Sequence, residues 1–135
     1  MARRTRWACG WLVACLALGG CKLPRVQDTL NIDLGTGEVR GAVEIDAKPQ
    51  DMDTTVAASS PGVPVTLYLV ERQDVEAVMT DLLKNEETSP KILAKTDQGE
   101  EVTLKHTLPA NKDYTVLIRG GPKPTKVKIT VSGSY

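Results

Sequence analysis

Residues 101 to 131 read EVTLKHTLPANKDYTVLIRGGPKPTKVKITV, and their regular alternation indicates the fold class. Three runs alternate apolar and polar side chains: EVTLKHT, YTVLIR and TKVKITV. The turn-forming segments PANKD and GGPKP separate these runs. Alternation with a period of two is typical of antiparallel strands that have one buried and one exposed face. The stretch therefore predicts three consecutive strands.

The same alternation recurs on the N-terminal side of this stretch. It is clear in TLNIDL (29–34), EVRGAVEI (38–45) and VPVTLYLV (63–70), and a further strand is expected around 91–96. One segment has a helical period instead, with Val75, Val78 and Leu82 on one stripe. About seven short strands at this spacing indicate a sandwich or a barrel. We predict a mostly β protein, an antiparallel β-sandwich with one short helix at about residues 72–84.

The segment DAKPQDMDTTVAASSPG, residues 46 to 62, interrupts the alternation. It is rich in Pro, Ser, Asp and Ala, and it predicts a long mobile loop, which in a compact domain is either functional or disordered. It could instead link an N-terminal hairpin to a separate main domain. Because a lone hairpin is marginal in water, we favour a single β-sandwich domain over residues 29–135.

The first 21 residues, MARRTRWACGWLVACLALGGC, have the layout of a secretory signal peptide. Arg3, Arg4 and Arg6 form a basic start, and an apolar run extends from Trp7 to Leu18. That run is shorter than the roughly 20 residues that span a bilayer. A cleaved export signal is therefore predicted rather than a permanent transmembrane helix.

The four residues Leu18-Gly19-Gly20-Cys21 resemble the lipobox of bacterial lipoproteins. The resemblance implies cleavage between Gly20 and Cys21, which removes residues 1–20, with diacylglycerol on the Cys21 thiol and usually an acyl chain on its new amino group. Two or three acyl chains anchor a protein stably to a membrane. Residues 21–28 would then be the lipidated cysteine and a short tether.

The residue that follows the lipidated cysteine bears on the destination of the protein. In the lipoprotein family an aspartate there tends to retain the protein at the inner membrane, whereas this chain has Lys22. In a two-membrane bacterium the resemblance thus implies the outer membrane rather than the inner one. The domain would face the periplasm or the cell surface.

Composition excludes several classes of protein once the first 20 residues are removed. The remainder carries 14 basic and 17 acidic residues, which makes no general case for nucleic-acid binding. All three cysteines lie within the first 21 residues, so no disulfide scaffold can form after Cys21. A lipid anchor on Cys21 is the only modification expected, with no other cofactor.

The chain lacks a recognisable catalytic or metal-binding set. His106 is the only histidine, and no positioned serine or free thiol accompanies it, so no catalytic residue is predicted and the protein is not expected to be an enzyme. One histidine without free cysteine excludes the usual zinc sites. Asp46, Asp51 and Asp53 offer oxygen ligands, but their spacing matches no calcium loop, and we interpret them as a solvated acidic loop.

Basic residues are concentrated towards the end of the chain. Lys123, Lys126 and Lys128 could form a basic face that binds anionic lipid headgroups or an acidic partner. Lysines on a terminal strand also protect an edge strand from unwanted pairing, and this second interpretation is favoured.

Residues 63–133 resemble small pre-peptidase C-terminal-like or GOLD-like β-sandwich modules. The resemblance depends on LPANKDYTVLIRGG, in which Asp113-Tyr114-Thr115-Val116 enters a strand, and on VPVTLYLVERQDVEAVM upstream. Such modules are typically accessory or interaction domains. We therefore expect a non-catalytic binding or assembly accessory at the bacterial envelope, with an envelope protein as its partner. The alternatives are a structural lipoprotein without a defined ligand, and a carrier of a lipid or sugar, which would require an internal cavity.

Overall fold

The computed structural model describes residues 25–85 and 89–135. They form eight strands and one short helix, α1 (Val75–Leu83), which follows a 3-10 turn at Arg72–Asp74. The strands are β1 (Arg25–Leu34), β2 (Val39–Ile45), β3 (Met52–Ser59), β4 (Thr66–Glu71), β5 (Ile92–Lys95), β6 (Glu101–Leu108), β7 (Tyr114–Arg119) and β8 (Thr125–Ser134). The predicted signal peptide, the lipobox with Gly20 and Cys21, and Lys22 lie outside the described residues.

The strands form two antiparallel sheets of four. Sheet A has the order β1-β8-β3-β6, and sheet B has the order β2-β7-β4-β5. The mostly β class, the sandwich and the single helix are therefore confirmed, with eight strands instead of about seven.

The additional strand lies inside the segment predicted to be a long mobile loop, residues 46–62, and that prediction was wrong. β3 occupies Met52–Ser59 and pairs with both β8 and β6. Its buried residues alternate as in any strand, but they include Thr54 and Ala58 beside Met52 and Val56. Because two of the four inward side chains are small or polar, the strand gives a weak hydrophobic pattern.

The start of the domain also differs from the prediction. β1 begins at Arg25 and pairs with β8 from Ser134 onwards, so residues 25–28, assigned to the tether, belong to the sheet. β8 lies between β1 and β3 and is not an edge strand. Lys126 and Lys128 therefore do not protect an exposed strand edge, and that interpretation was wrong.

Two clusters of buried side chains hold the layers together. The larger cluster fills the space between the sheets and receives residues such as Leu34, Val56 and Ile129. The smaller cluster lies between α1 and the outer face of sheet B, where Val78 and Leu82 pack on Tyr68. β4 is consequently buried on both faces, whereas its sequence predicts one buried face.

The register gives the sandwich two distinct ends. The end at which β1 begins, here named the proximal pole, also carries the segments 46–51, 71–74 and 109–113. The opposite end, the distal pole, carries the segments 35–38, 60–64, 96–100 and 120–124. A ten-residue strand such as β1 spans about 30 Å at about 3.4 Å per residue, which separates the two poles by that distance.

Candidate functional site

A groove at the distal pole is the candidate functional site. It lies on the outer face of sheet B and has a volume of about 500 Å³. This volume is within the range of about 300–1,000 Å³ that is usual for small-molecule sites. The residues that line it are Thr36, Gly37, Thr66, Tyr68, Lys95, Thr96, Asp97, Gln98, Arg119, Gly120, Gly121 and Pro122.

Alternation along the strands explains the floor of the groove. Thr66 and Tyr68 lie on the same face of β4, and the register places Arg119 opposite Thr66 and Lys95 opposite Tyr68. Tyr68 is fully buried, because this face continues beneath α1. The groove is the part of the outer face that remains beyond the C-terminal end of the helix.

Backbone hydrogen bonds hold one wall of the groove. The Gly37 N–H donates to the Gly121 carbonyl at 2.9 Å, and the Gly120 N–H donates to the Glu38 carbonyl at 2.7 Å. A Cβ at Gly120 would lie 2.6 Å from the Gly35 carbonyl oxygen, so only glycine permits this approach of the two turns.

The opposite wall is fixed through Thr96. Its N–H donates to the Leu67 carbonyl at 3.0 Å, and its hydroxyl oxygen accepts from the Leu67 N–H at 3.1 Å. The two N–H···O bonds between Val65 and Gly99, at 2.8 and 3.0 Å, continue this wall. Both walls are therefore ordered by the fold and not by a ligand.

The end of α1 positions the principal cation. The Arg119 guanidinium donates to the side-chain oxygen of Asn85, which has a left-handed backbone (φ 62°) just after the helix. Asparagine tolerates that conformation better than most residues. Asn85 is thus one of the partners that hold Arg119. Lys95 and Asp97 are the other charged residues that line the groove.

A second polar cluster occupies the proximal pole, and its groups bind one another. Arg72 lies 3.0 Å from an Asp46 carboxylate oxygen and 3.7 Å from one of Asp113, and Lys112 lies 3.7 Å from Glu71. The Asp113 carboxylate also accepts from the Ala47 N–H at 2.7 Å. The hydrogen bond with Asp46 raises the pKa of Arg72, burial opposes this, and Asp113 and Glu44 add to the rise. The cluster joins the three proximal segments to one another.

The predicted basic face is divided by the structure. Lys126 and Lys128 are exposed on the outer face of sheet A, opposite Asp33 and Asn31 respectively. Lys123 lies in the distal turn, directly after Pro122 of the groove. Lys123 is thus the only one of the three that neighbours the candidate site.

The structure gives defined neighbours to His106 and to two aspartates of the predicted acidic loop, Asp51 and Asp53. His106 pairs with the buried Thr54 and faces inward like Val102 and Leu104. Asp51 accepts from the Ala110 N–H at 2.9 Å, and Asp53 accepts from the Thr107 hydroxyl at 2.8 Å. Within 25–85 and 89–135, no three His, Cys, Asp or Glu residues converge as a metal site would require.

None of the residues that line the groove was identified as a site residue from the sequence. Lys95 and Arg119 are separated by 24 positions in the chain and lie on β5 and β7, with β6 between them, so no local motif connects them. The available signals were the paired glycines at 120–121 and the turn TDQG (96–99), which mark close loop packing but not a ligand.

A cavity that reaches the interior is too small for a lipid or a sugar. It has a volume of about 10 Å³ and touches the core residues Ile45, Met52, Leu108 and Tyr114. That volume is close to the least that one water molecule needs. This cavity therefore has no room for the lipid or sugar that a carrier would hold.

Comparison with known proteins identifies the architecture. No protein-family model and no curated protein matches this sequence. Among solved structures, the chain is similar to PliG, a periplasmic inhibitor of g-type lysozyme from Aeromonas hydrophila. The TM-score is 0.55 at 10% identity, over 79% of this chain and 85% of that one. It is also similar to the Yersinia pseudotuberculosis-derived mitogen, with a TM-score of 0.54 at 7% identity, over 80% of this chain and 86% of that one.

A pre-peptidase C-terminal domain is also among the solved structures that match, at a lower TM-score. The pre-peptidase C-terminal domain of the Bacillus anthracis collagenase matches with a TM-score of 0.46 at 12% identity, over 78% of this chain and 89% of that one. At such identities these likenesses concern the fold alone. Separately, none of the helices within the described ranges has the length and apolar character needed to cross a membrane.

Proposed function

We propose that this protein is a lipid-anchored, non-catalytic binding module of the bacterial envelope that presents its distal groove to a partner. The observation that supports the proposal is the position of β1. It begins at Arg25, four residues after Cys21, and runs away from the proximal pole. A lipid on Cys21 would therefore attach the protein by the end opposite the groove.

Because the tether is short, the orientation of the protein decides how far the groove lies from the membrane. Residues 21–24 reach at most about 14 Å when fully extended, at about 3.5 Å per residue, which is about half the length of β1. With the proximal pole towards the membrane, the groove stands clear of the lipid surface. We propose that Lys22 directs the protein to the outer membrane.

The fold suits a binding role. PliG, which has a similar sandwich, is an inhibitor of another protein, so such a scaffold can serve recognition without catalysis. In this chain the rigid walls of the groove would offer a preformed surface, which lowers the entropic cost of binding. An envelope protein is the partner that we propose.

Two experiments test the separate parts of the proposal. Metabolic labelling with palmitate should mark the wild-type chain and not Cys21→Ser, which should accumulate as an unprocessed precursor. A Cys21→Ser variant that is still cleaved and membrane-bound would contradict the anchor.

The second experiment tests recognition at the distal groove. The full-length protein is crosslinked in cells, and the captured proteins are compared for wild type, Lys95→Glu and the control Lys105→Glu. Lys105 is exposed on sheet A, away from the groove. A dominant partner that is lost only in Lys95→Glu supports the proposal, whereas equal recovery of abundant envelope proteins by all three favours a structural lipoprotein.

A further inference from the structure

We propose that the free edge of β1 binds an extended segment of a partner protein, alternately apolar and carrying basic residues, as a fifth strand of sheet A. β1 has ten residues, and among the described strands it pairs only with β8. The backbone groups on its other side therefore lack a strand partner within the described chain. This edge is separate from the distal groove, and the inference goes beyond the function proposed above.

Two hydrogen bonds show which backbone groups of β1 face this open side. The Thr29 N–H donates to the carboxylate of the preceding residue at 2.8 Å, and the Asp33 carbonyl accepts from the Arg40 guanidinium at 3.0 Å. In an antiparallel pair the N–H and C=O of one residue point to the same side, and successive residues alternate. The backbone groups of Gln27 and Asn31 therefore also face away from β8, where an added strand can reach them.

The same two bonds define the length of the open edge. Arg40 reaches from β2 to the carbonyl of Asp33, so it closes the distal end. Asp28 occupies one N–H at the centre but leaves the Thr29 carbonyl, and an inward charge of this kind limits unwanted pairing. The open part thus extends over residues 27–31 and suits a segment of about five residues.

The other edge strands are less suited to an added strand. β2 has a register irregularity between Gly41 and Val43, and β5 has only four residues. β6 carries an exposed lysine, Lys105, near its middle. Bulges, short strands and lysines are means by which native sheets avoid pairing at their edges. β1 has a continuous register, no lysine and no proline over its ten residues.

Half-buried apolar side chains beside this edge require an occupant of alternating character. Leu30 and Ile32 on β1, and Ala42 and Val43 on β2, pack against the core but remain partly exposed. Both strands are at the edges of their sheets, where the space between the layers opens to solvent. An added strand would cover these side chains with every second residue of its own.

Charge favours a basic segment of another protein over a second copy of this chain. Residues 27–34 include Asp28 and Asp33 and no basic residue, so Lys or Arg on the occupant would complement them. Two copies of β1 related by two-fold symmetry would pair antiparallel, with their N-terminal ends at opposite poles. That arrangement does not suit attachment of both copies to one membrane, an argument that alone rests on the proposed anchor.

The test titrates the full-length protein, purified in a non-ionic detergent, with the probe acetyl-Lys-Val-Thr-Val-Thr-Val-Lys-amide. Backbone N-methylation of either the valines or the threonines removes donors from one side of the probe only. One set should weaken binding about tenfold and the other should leave it unchanged, because only alternate residues of the probe donate to β1. Equal effects of the two sets, or no binding of the probe, would overturn the proposal. Glutamate in place of both lysines should weaken binding about fivefold, and equal affinity would contradict the basic character of the occupant.

Amide hydrogen exchange, followed by NMR, locates the probe. At saturation the amides of Gln27 and Asn31 should exchange about tenfold more slowly, whereas those of Leu30 and Ile32, which face β8, should be slow even without the probe. Binding without added protection at Gln27 and Asn31 would contradict the edge. Protection of both amides in a dimer without the probe would identify a second copy as the occupant and overturn the assignment to a partner.

Two variants at one position complete the test. Asn31→Pro removes an N–H that faces away from β8, a place where edge strands accept proline, and should weaken binding about tenfold. Asn31→Ala keeps the N–H and should bind the probe like wild type, and equal binding by both variants would count against the edge. The N-methylated probes decide the matter if Asn31→Pro does not fold. None of these measurements involves the distal groove, so their failure leaves the proposed function standing.

Discussion

The Arg119 guanidinium donates a hydrogen bond to the side-chain oxygen of Asn85, which joins the end of β7 to the residue that follows α1. The bond connects the layer outside sheet B with the floor of the groove. It also makes Asn85 a means of changing the groove without altering any residue that lines it.

Asn85→Asp should reduce recovery of the crosslinked partner while the fold persists. The new carboxylate keeps an acceptor for Arg119 and adds a negative charge beside the groove, so we expect the amount of crosslinked partner to fall about tenfold if the partner contacts this end of the groove. The free energy of unfolding should be unchanged or higher by at most about 1 kcal/mol, the range for exposed ion pairs.

The control for this variant is Asn111→Asp. Asn111 also has a left-handed backbone (φ 67°), and it lies at the proximal pole. It undergoes the same change of charge and should leave recovery of the crosslinked partner unaltered. Equal losses in the two variants would mean that overall charge and not the Arg119 contact governs affinity.

Asp113→Ala should destabilise the proximal pole. The change removes the acceptor of the Ala47 N–H and the carboxylate beside Arg72. We expect the free energy of unfolding, measured by urea denaturation, to fall by about 1–2 kcal/mol. Asp113→Asn retains an acceptor oxygen and should lose less, and an equal loss in both variants would assign the effect to charge alone.

Val56→Ala tests the position of β3 in the centre of sheet A. Val56 is fully buried, so the removed methyl groups and the resulting cavity should cost about 2 kcal/mol of unfolding free energy. Thr55→Ala, which is next to it but faces outward, should change stability by at most about 0.5 kcal/mol. Similar small effects at both positions would be expected of a mobile loop and would contradict a central strand.

Stability should decrease at alkaline pH in part because of Tyr114. Burial raises the pKa of its phenol, and Glu71 and Asp51 raise it further. A pKa raised in the folded state means that the stabilising contribution is complete below the ordinary value of about 10 and is lost as the pH rises through the folded value. Urea denaturation at pH 8 and at pH 11 should show a smaller alkaline loss for Tyr114→Phe than for wild type. A loss that is the same in both would exclude this residue as a cause.

The sequence predicts the class of fold because its alternating strands are half-buried, and it predicts α1 because Val78 and Leu82 recur with a helical period. The same pattern does not predict β3. Its inward positions include Thr54 and Ala58, which are only weakly hydrophobic and are buried because β3 lies between β8 and β6. Neither the pairing of β8 with β1 nor its central position could be predicted from local patterns, because both depend on contacts between distant segments.

The candidate site was less accessible to sequence reasoning than the fold. Its cations come from β5 and β7, and Asn85 orients one of them from the end of a helix. Lys123 was recognised as basic, but only the topology places it beside the groove. Cys21 remains a prediction from the lipobox alone.

The central position of β8 has a consequence for the order in which the protein can fold. β1, the first of the described strands to be synthesised, finds its only partner among those strands in residues 125–134. β3 likewise lacks one of its two neighbours until those residues exist. Sheet A can therefore close only once residues 125–134 have been synthesised, so its assembly waits on the last of the eight described strands.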